Sequence, residues 1–451
     1  MMSVSTLTET SGTAPVALPA TPGRVSRAQL TSKPRRTLSL SLQHPGRQIV
    51  MRVLEQIGDG SLTIVENGTR IQARNRDSLS SAQERDAFTA EIRVLSPEFY
   101  ERLFTAGTMG AAEAYMDGLW DSPDLTRVLR ILLRNEMALR GIRSPLQALV
   151  GLAARFFHGL NRNTRHGSRR NIHQHYDLGN DFFETFLDPT MMYSSGLFES
   201  PGDSLEQASV NKLERICQEL RLSSADHVVE IGTGWGGFAI HAARNYGCRV
   251  TTTTISEEQH RYARRRIQSA GLSDRIEVLQ KDYRDLTGSY DKLVSIEMVE
   301  AVGERFLPTY FRQCANLLKP GGAMLLQAIT MPEQRSRQYS RSVDFIRKHI
   351  FPGGYLPSLT QMQTAATSTS RLRLLNVTDF GLHYAETLRR WREQFHQNAD
   401  TIRAYGFDQT FLRKWHYYFC YCEAAFEERA TSVVHALWGQ TDCALGTLSR
   451  A

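Results

Sequence analysis

The sequence predicts an α/β protein with an open, doubly wound and mostly parallel sheet, preceded by a small α+β domain. Three observations lead to this prediction. Strand-like and helix-like segments alternate after residue 176, a glycine-rich turn joins one such strand to a helix, and a different regular pattern fills the chain before residue 140. We expect a disordered basic tail over residues 1–45, an α+β domain over 46–140, a basic amphipathic helix and linker over 141–175, and the doubly wound domain over 176–451.

The composition excludes several classes of protein. The chain has 451 residues, enough for more than one domain, and no apolar run near the ~20 residues that cross a bilayer. Its polar, Thr-rich start is unlike a secretory signal. The six cysteines are scattered, so neither a disulfide framework nor a metal site is expected. A net charge of +7 indicates an anionic partner, either nucleic acid or an acidic membrane surface.

The N-terminal part begins with a segment rich in Ser, Thr, Pro and Ala, which contains several basic residues and a single acidic one, Glu9. Such a composition cannot bury a core and predicts disorder. From about Gln48, β-like runs flank the turns at 58–60 and 66–68, and a helical pattern begins at Ser96. These patterns predict the small α+β domain.

A basic segment separates this domain from the next one. Between Arg140 and Tyr176 there are seven arginines and no Asp or Glu, and Leu and Phe residues recur at helical spacing. Two interpretations are equally open. The segment is either an amphipathic helix that lies in an anionic membrane interface, or an inter-domain helix whose arginines are in solvent.

The doubly wound domain is predicted from strand-like runs, most of which are separated by helical patterns. These runs cover residues 228–231, 250–255, 276–279, 293–296 and 323–329. The first run leads into the turn Gly232-x-Gly234-x-Gly236-Gly237, which opens a helix. This spacing differs from the dinucleotide fingerprint and lacks the Lys-Ser/Thr pair of a phosphate-binding loop. The turn therefore suits a cofactor without a phosphate, such as S-adenosylmethionine (SAM).

Polar residues after the next two strands complete the predicted cofactor site. An acid that binds the ribose hydroxyls is expected about 20 residues after the glycines. Here the strand ends in a run of threonines instead, so Thr254 and Gln259 are the candidates for the ribose contacts. Asp282 and Tyr283 follow the third strand, where a polar group and an aromatic face can hold an adenine.

Several longer motifs identify a family resemblance. These motifs are HYDLGNDFF at 175–183, LDP at 187–189, Tyr193-Ser194, the glycine-rich turn with Trp235, Thr254-Ile255-Ser256 with Gln259, FPGG at 351–354 and LPS at 356–358. Together they closely resemble cyclopropane fatty acid and mycolic acid synthases. Residues 109–118, with Trp120, are similar to the N-terminal domain of the longer bacterial members.

The resemblance implies a Rossmann-like class I SAM-dependent methyltransferase domain over residues 176–451. It implies methyl transfer from SAM to a cis alkene in a phospholipid acyl chain, which leaves a carbocation near mid-chain. In cyclopropane synthases a proton is then lost from the added methyl group and the ring closes, with a bound bicarbonate as the base. An alkene is a poor nucleophile, so such catalysis depends on positioning and on groups that favour a developing cation.

The resemblance also assigns site residues by position. The SAM contacts would be Tyr193, Ser194, Gly232, Gly234, Thr254, Ile255, Gln259, Asp282 and Tyr283. The reaction centre would be lined by Glu300, Ile329, Tyr384 and the backbone of Ser195.

Three positions depart from the family pattern. The family's cysteine after Tyr-Ser is Ser195, its Glu-His pair is Glu300-Ala301, and its later histidine is Gln327. Ser195 can still offer a backbone N–H to an anion and Gln327 can still donate a hydrogen bond, so both remain catalytic candidates. Neither replaces an imidazole that carries a proton. Glu297, three residues before Glu300, is interpreted as a polar residue at a strand end.

Two products therefore stay open, a cyclopropane as the family default and a methylene-branched chain that a partner reductase would convert to a methyl branch. Two rival functions are a nucleic-acid methyltransferase and an inactive lipid-binding homologue. No nucleic-acid-binding module is recognisable, so the expected partners are an anionic phospholipid surface and unsaturated acyl chains, not nucleic acid. The N-terminal domain would bind lipid, pair two subunits as a homodimer, or do both. The expected location is cytoplasmic and peripheral, at the inner face of a bacterial cytoplasmic membrane.

Overall fold

The computed structural model of the protein describes residues 44–72, 88–136 and 178–445. Most of the predicted basic tail, the predicted amphipathic helix at 141–175 and the first residues of the HYDLGNDFF motif lie outside these ranges. None of the described helices combines the length and the apolarity that are needed to cross a bilayer.

The described residues of the N-terminal part form a small sheet and three helices. Their bounds are α1 Pro45–Gln56, β1 Ser61–Glu66, β2 Thr69–Gln72, β3 Thr89–Val94, α2 Glu98–Met116, β4 Trp120–Asp121 and α3 Leu125–Arg134. The strand order is β2-β1-β3-β4, with β1 and β3 parallel and both edge pairs antiparallel. We call these elements the N-terminal module.

The predicted β-like run before the turn at 58–60 is wrong, because α1 lies there. Pro45 opens this helix, and the Nδ1 atom of His44 accepts a hydrogen bond from the backbone N of Gly46. Val50 and Leu54 are buried four residues apart, which is the spacing of a helix that packs one face inward. The turn at 66–68 and the helix after Ser96 are as predicted.

The second part is built on a seven-stranded sheet. Its strands are β5 His227–Ile231, β6 Arg249–Thr253, β7 Ile276–Leu279, β8 Tyr290–Ile296, β9 Leu318–Thr330, β10 Arg373–Asp379 and β11 Ser432–Gly439. The order is β10-β11-β9-β8-β5-β6-β7, and the five strands β5 to β9 are mutually parallel. The predicted doubly wound, mostly parallel fold is confirmed. The two antiparallel strands β10 and β11 were not among the predicted runs.

Helices cover both faces of this sheet and its carboxyl edge. They are α4 Asn180–Glu184, α5 Leu205–Glu219, α6 Gly237–Tyr246, α7 Glu257–Ser269, α8 Leu307–Leu317, α9 Glu333–Ser340, α10 Leu359–Thr369, α11 Gly381–Gln397, α12 Ala399–Ala404 and α13 Gln409–Glu427, with a π-helix at Ile346–Ile350.

Helix α13 joins the two parts of the molecule, since it packs on α11 and also on α2 and α3. Ion pairs strengthen this junction. Arg130 of α3 places its Nε 2.6 Å from Oε1 of Glu428, and Thr126 and Arg392 both bond to the buried carboxylate of Glu423 on α13. These contacts hold the N-terminal module against the second part of the molecule.

Candidate active site

A cavity of about 1420 Å³ lies at the carboxyl ends of β5, β6 and β8 and extends to the N-terminal module. In a doubly wound sheet this edge binds ligands, because the connections of the central strands diverge there. All nine predicted cofactor contacts line the cavity, together with Glu300, Ile329 and Tyr384. Ser195 and Gln327 do not line it. Both are fully buried behind the wall.

The glycine-rich turn after β5 has the backbone of a ligand cradle. Gly232 and Gly234 have φ values of 105° and 51°. Residues that carry a Cβ atom adopt such positive φ values only with steric strain. The N–H groups of Gly232 and Thr233 both donate to the carbonyl of Thr253, at 3.0 Å each, so the turn is fixed to β6. A side chain at Gly234 would meet no protein atom within 4 Å. The backbone there is therefore free to approach a ligand.

Glu230, the fourth residue of β5, was not predicted as a site residue. It lines the cavity, and its Oε2 has no hydrogen-bond partner among the described residues. Burial raises the pKa of its carboxyl group to about 8, so the group is protonated at neutral pH. A protonated carboxyl group with one oxygen free of partners is suited to a polar group of the cofactor.

The predicted ribose and adenine contacts form two local clusters. The Oγ1 of Thr254 donates to Oε1 of Gln259 at 3.0 Å, which orients both side chains. Asp282 is held at both carboxylate oxygens by Arg284, at 2.8 and 2.6 Å. Tyr283 packs edge-on against Tyr310, with 5.4 Å between the ring centroids. The clusters therefore present fixed polar and aromatic groups at the cavity wall.

A buried lysine supports the segment that carries Tyr193 and Ser194. Lys212 of α5 is fully buried, and its Nζ donates to Oγ of Ser194 at 2.6 Å. Burial lowers the pKa of this amine to about 8, and the carboxylates of Glu297 and Asp188 oppose that shift. No sequence signal separated this lysine from the exposed cations of an ordinary amphipathic helix.

Glu297, which follows β8 and was interpreted as a polar residue at a strand end, lies at the cavity wall and accepts three hydrogen bonds. Its Oε1 accepts hydrogen bonds from the backbone N of Ser195 at 2.9 Å and from Nε2 of Gln327 at 2.7 Å. Its Oε2 accepts one from the hydroxyl of Tyr384 at 2.7 Å. The residue adopts a positive φ of 47°, an uncommon conformation that directs the side chain into this group of donors.

The donors are themselves fixed by neighbours. Gln327 also donates to the carbonyl of Ser195 at 3.3 Å, and its Oε1 contacts Nε2 of His435 at 3.1 Å. Tyr384 stacks on Phe426 with 4.5 Å between ring centroids. Ser195 and Gln327 thus act on the cavity through Glu297.

Glu300 and Glu297 have different surroundings. Glu300 accepts a hydrogen bond at Oε1 from the backbone N of Ile329 at 2.6 Å, and its Oε2 has no partner among the described residues. Burial and the nearby Glu297 raise the pKa of Glu300 to about 8. Burial also raises the pKa of Glu297, although the hydrogen bonds from Tyr384, Ser195 and Gln327 and the charge of Lys212 reduce this shift. Hydrogen bonds and a nearby cation favour the charged form of a carboxyl group, and Glu297 has both.

The cradle, the strand order and the polar clusters along one sheet edge define a class I SAM-dependent methyltransferase. The residues present fit this cofactor, since the partnerless Oε2 of Glu230 and the open backbone of Gly234 line the same cavity. Residues 163–436 match the profile of the mycolic acid cyclopropane synthetase family. The chain belongs to this family, whose members use SAM to modify lipids.

Individual relatives agree with this assignment. The chain is 41% identical over 332 residues to the tuberculostearic acid methyltransferase UfaA1 of Mycobacterium tuberculosis, covering 72% of this chain and 77% of the relative. It is 37% identical over 347 residues to the cyclopropane-fatty-acyl-phospholipid synthase of Escherichia coli strain K12, covering 75% and 85%. The structure of the mycolic acid cyclopropane synthase CmaA1 with SAH and CTAB superposes with a TM-score of 0.57 at 27% identity, covering 60% and 98%.

Proposed function

We propose that the protein methylates the cis double bond of an unsaturated phospholipid acyl chain, with Glu297 as the base that removes a proton from the product cation. The position of the Glu297 carboxylate supports this proposal most directly. It lies at the wall of the cavity and is held by three hydrogen-bond donors from distant parts of the chain. A fixed anion beside the reacting carbon favours a developing positive charge.

The cofactor would occupy the half of the cavity that the sheet edge forms. The glycine-rich turn, Thr254 with Gln259, and Asp282 with Tyr283 would hold it there. SAM supplies an electrophilic methyl group, which the alkene takes with its π electron pair. The polypeptide has the remaining tasks of excluding water, placing the alkene and receiving a proton.

The two glutamates would divide the charge between them. Glu297, with its three donors, faces the substrate cation as a carboxylate. Glu300, protonated at neutral pH, adds no second negative charge and keeps Ile329 and the adjoining strand in place. The ring of Tyr384 is fixed by Phe426 and offers an aromatic edge and hydroxyl at the same point. Glu297 then accepts the proton that the added methyl group loses.

Bicarbonate, the base that the family resemblance implies, does not fit this arrangement. The backbone N of Ser195, the amide of Gln327 and the hydroxyl of Tyr384 would be its donors, and all three bond to Glu297 instead.

The product that we propose first is a methylene-branched acyl chain. A hydride moves from the methyl-bearing carbon to the neighbouring cationic carbon, and loss of a proton from the added methyl group leaves a C=CH₂ branch on the open chain. The altered base and the similarity to the tuberculostearic acid methyltransferase UfaA1 support this product. A partner reductase would complete the branch. Ring closure is the second candidate, favoured by the retained Glu300, Tyr384 and Ile329 and by the E. coli relative.

An anionic membrane surface would deliver the substrate. Of the basic side chains near the cavity, Arg347 is buried and donates to the carbonyls of Tyr339 and Gly354, so it stabilises the fold. Arg341 is exposed and lines the cavity, which suits contact with a lipid phosphate. A peripheral location at the cytoplasmic membrane follows from this proposal.

Mass spectrometry of fatty acids from a bacterium that expresses the chain tests the proposal. We expect acyl chains that have gained one CH₂ group, and NMR of the purified product distinguishes a methylene branch from a cyclopropane ring. Purified protein with methyl-labelled SAM is then offered phospholipid vesicles or RNA. Label in RNA and not in lipid would refute the proposal, and SAM binding without any transfer would identify an inactive homologue.

A further inference from the structure

The cavity is larger than the cofactor and the reaction centre require. Single small-molecule sites enclose about 300–1,000 Å³, whereas this cavity has a volume of about 1420 Å³. Its far end lies inside the N-terminal module, between α1, the small sheet, α2 and α3. We call this end the tail cleft. Six partly buried aliphatic side chains line it, namely Ile49, Val53, Leu103, Met109, Leu132 and Leu133.

Helix α13 forms a continuous wall between the reaction centre and the tail cleft. At one end Phe426 stacks on Tyr384, and at the other Tyr417 packs on Tyr115 of α2, with 5.7 Å between the ring centroids. Tyr417, Tyr421 and Phe426 all line the cavity. Phe426 and Tyr417 are nine residues apart, so this wall spans roughly 13 Å at the rise of an α-helix.

The chemistry of the walls specifies an apolar occupant. The six cleft residues carry no hydrogen-bonding group, so a phosphate or a sugar placed there would lose its hydration without compensation. Acids of the module that line the cavity are already paired. Glu113 bonds to Lys348 and to Nε2 of His349, and Glu136 pairs with Arg335 at 2.9 Å. Both pairs also tie the module to the segment around α9.

We propose that the tail cleft binds the methyl-terminal part of the substrate's acyl chain, beyond the double bond, so that the N-terminal module selects chain length. This proposal rests on the proposed function. The alkene would lie beside Glu297 and Tyr384, and the chain would continue along α13 into the module. Each methylene buried there should raise kcat/KM about fourfold, until the cleft is filled.

The test uses phosphatidylglycerol vesicles that share one double-bond position and differ in the number of carbons beyond it. Leu103→Trp and Leu132→Trp each fill part of the cleft from a different helix. We expect kcat/KM to fall for the longest chains and to stay unchanged for the shortest. Leu132→Ala should shift the preference toward longer chains. Leu95→Trp is the matched control, because Leu95 is 62% exposed in the same module and does not line the cavity.

Circular dichroism and SAM affinity identify the variants that have kept their fold. An equal loss for every chain length in folded Trp variants, or no change in any of them, would overturn the inference. If both Trp variants misfold, Leu132→Ala alone decides, since an unaltered length preference contradicts the proposal. The wild-type protein separates this result from failure of the proposed function, because only the latter predicts no transfer to any lipid in the series.

Discussion

Replacing Glu297 with alanine removes the proposed base and leaves its donors in place. The backbone N of Ser195, the amide of Gln327 and the hydroxyl of Tyr384 would then surround a small space that had held a carboxylate. Bicarbonate has the charge and the acceptor atoms for this space. The variant should therefore be inactive alone and regain activity when bicarbonate is added.

The size of the effect follows from these contacts. A positioned general base contributes about 10²–10⁴ in rate, which corresponds to roughly 3–5 kcal/mol in the barrier. Each donor that is left unsatisfied costs roughly 1–3 kcal/mol of stability. Water or an anion that enters the space reduces this second loss, so the variant should fold. SAM affinity should not change, since Glu297 makes no contact with the glycine-rich turn in the hydrogen bonds of the described residues.

The assay measures label transfer from SAM to phospholipid vesicles in buffer freed of carbon dioxide, with and without added bicarbonate. The wild-type rate should be independent of bicarbonate, and the rate of Glu297→Ala should rise with its concentration. Glu300→Gln is the matched control. It keeps a neutral acceptor for the N–H of Ile329, so its loss should be about tenfold at most.

Three results would contradict the reasoning. Full activity of Glu297→Ala without bicarbonate would show that the carboxylate is not the base. If the wild-type rate requires bicarbonate and bicarbonate does not rescue Glu297→Ala, the base is a bound bicarbonate ion and not Glu297. A larger loss in Glu300→Gln than in Glu297→Ala would reverse the assignment of the two carboxyl groups.

Three further predictions concern the cofactor side of the cavity and its buried charges. Gly234→Ala should weaken SAM binding, measured by calorimetry. Gly271→Ala is the matched control, because Gly271 also has a positive φ and open surroundings but does not line the cavity. It should reduce stability by a similar amount and leave SAM binding unchanged. Lys212→Met removes a cation that lowers the pKa of Glu297, so the acid limb of the pH–kcat profile should move to higher pH. The pKa of Glu230 is raised from 4.5 to about 8, so the stability of the native state should fall as the pH rises through this interval. Thermal unfolding measured across these pH values should show this fall in the wild type and not in Glu230→Gln.

The parallel part of the sheet was predictable because its signals are local. Each of β5 to β8 contains a short apolar or β-branched run with a turn or a helical pattern at its ends, and the glycine-rich turn marks the ligand edge by itself. Strand β10 pairs with β11, and β11 also pairs with β9, at register positions more than fifty residues apart in sequence. β10 is partly exposed and lacks a clean alternation, so its sequence alone did not identify it.

The centre of the reaction site was not predictable in the same way. Glu297 is separated by 102, 30 and 87 residues from the three groups that bond to it, so its role depends on the tertiary fold. Lys212 is an equally clear case, because a lysine on an amphipathic helix is normally solvated and this one is fully buried. The family motifs did identify other residues that line the cavity, such as Gly232, Thr254 and Tyr283, because these residues belong to short motifs that are visible in the sequence.

The three departures from the family pattern are consistent with one change, the transfer of the base from a bound ion to the chain. Gln327 uses both amide hydrogens, on Glu297 and on the carbonyl of Ser195, and its oxygen faces His435. A glutamine in this position donates to a carboxylate but cannot take its proton, whereas an imidazole would compete for that proton. Ser195 still supplies its backbone N–H, which does not depend on the side chain. The residues that depart from the family pattern therefore place hydrogen-bond donors on Glu297, as expected if this side chain is the proposed base.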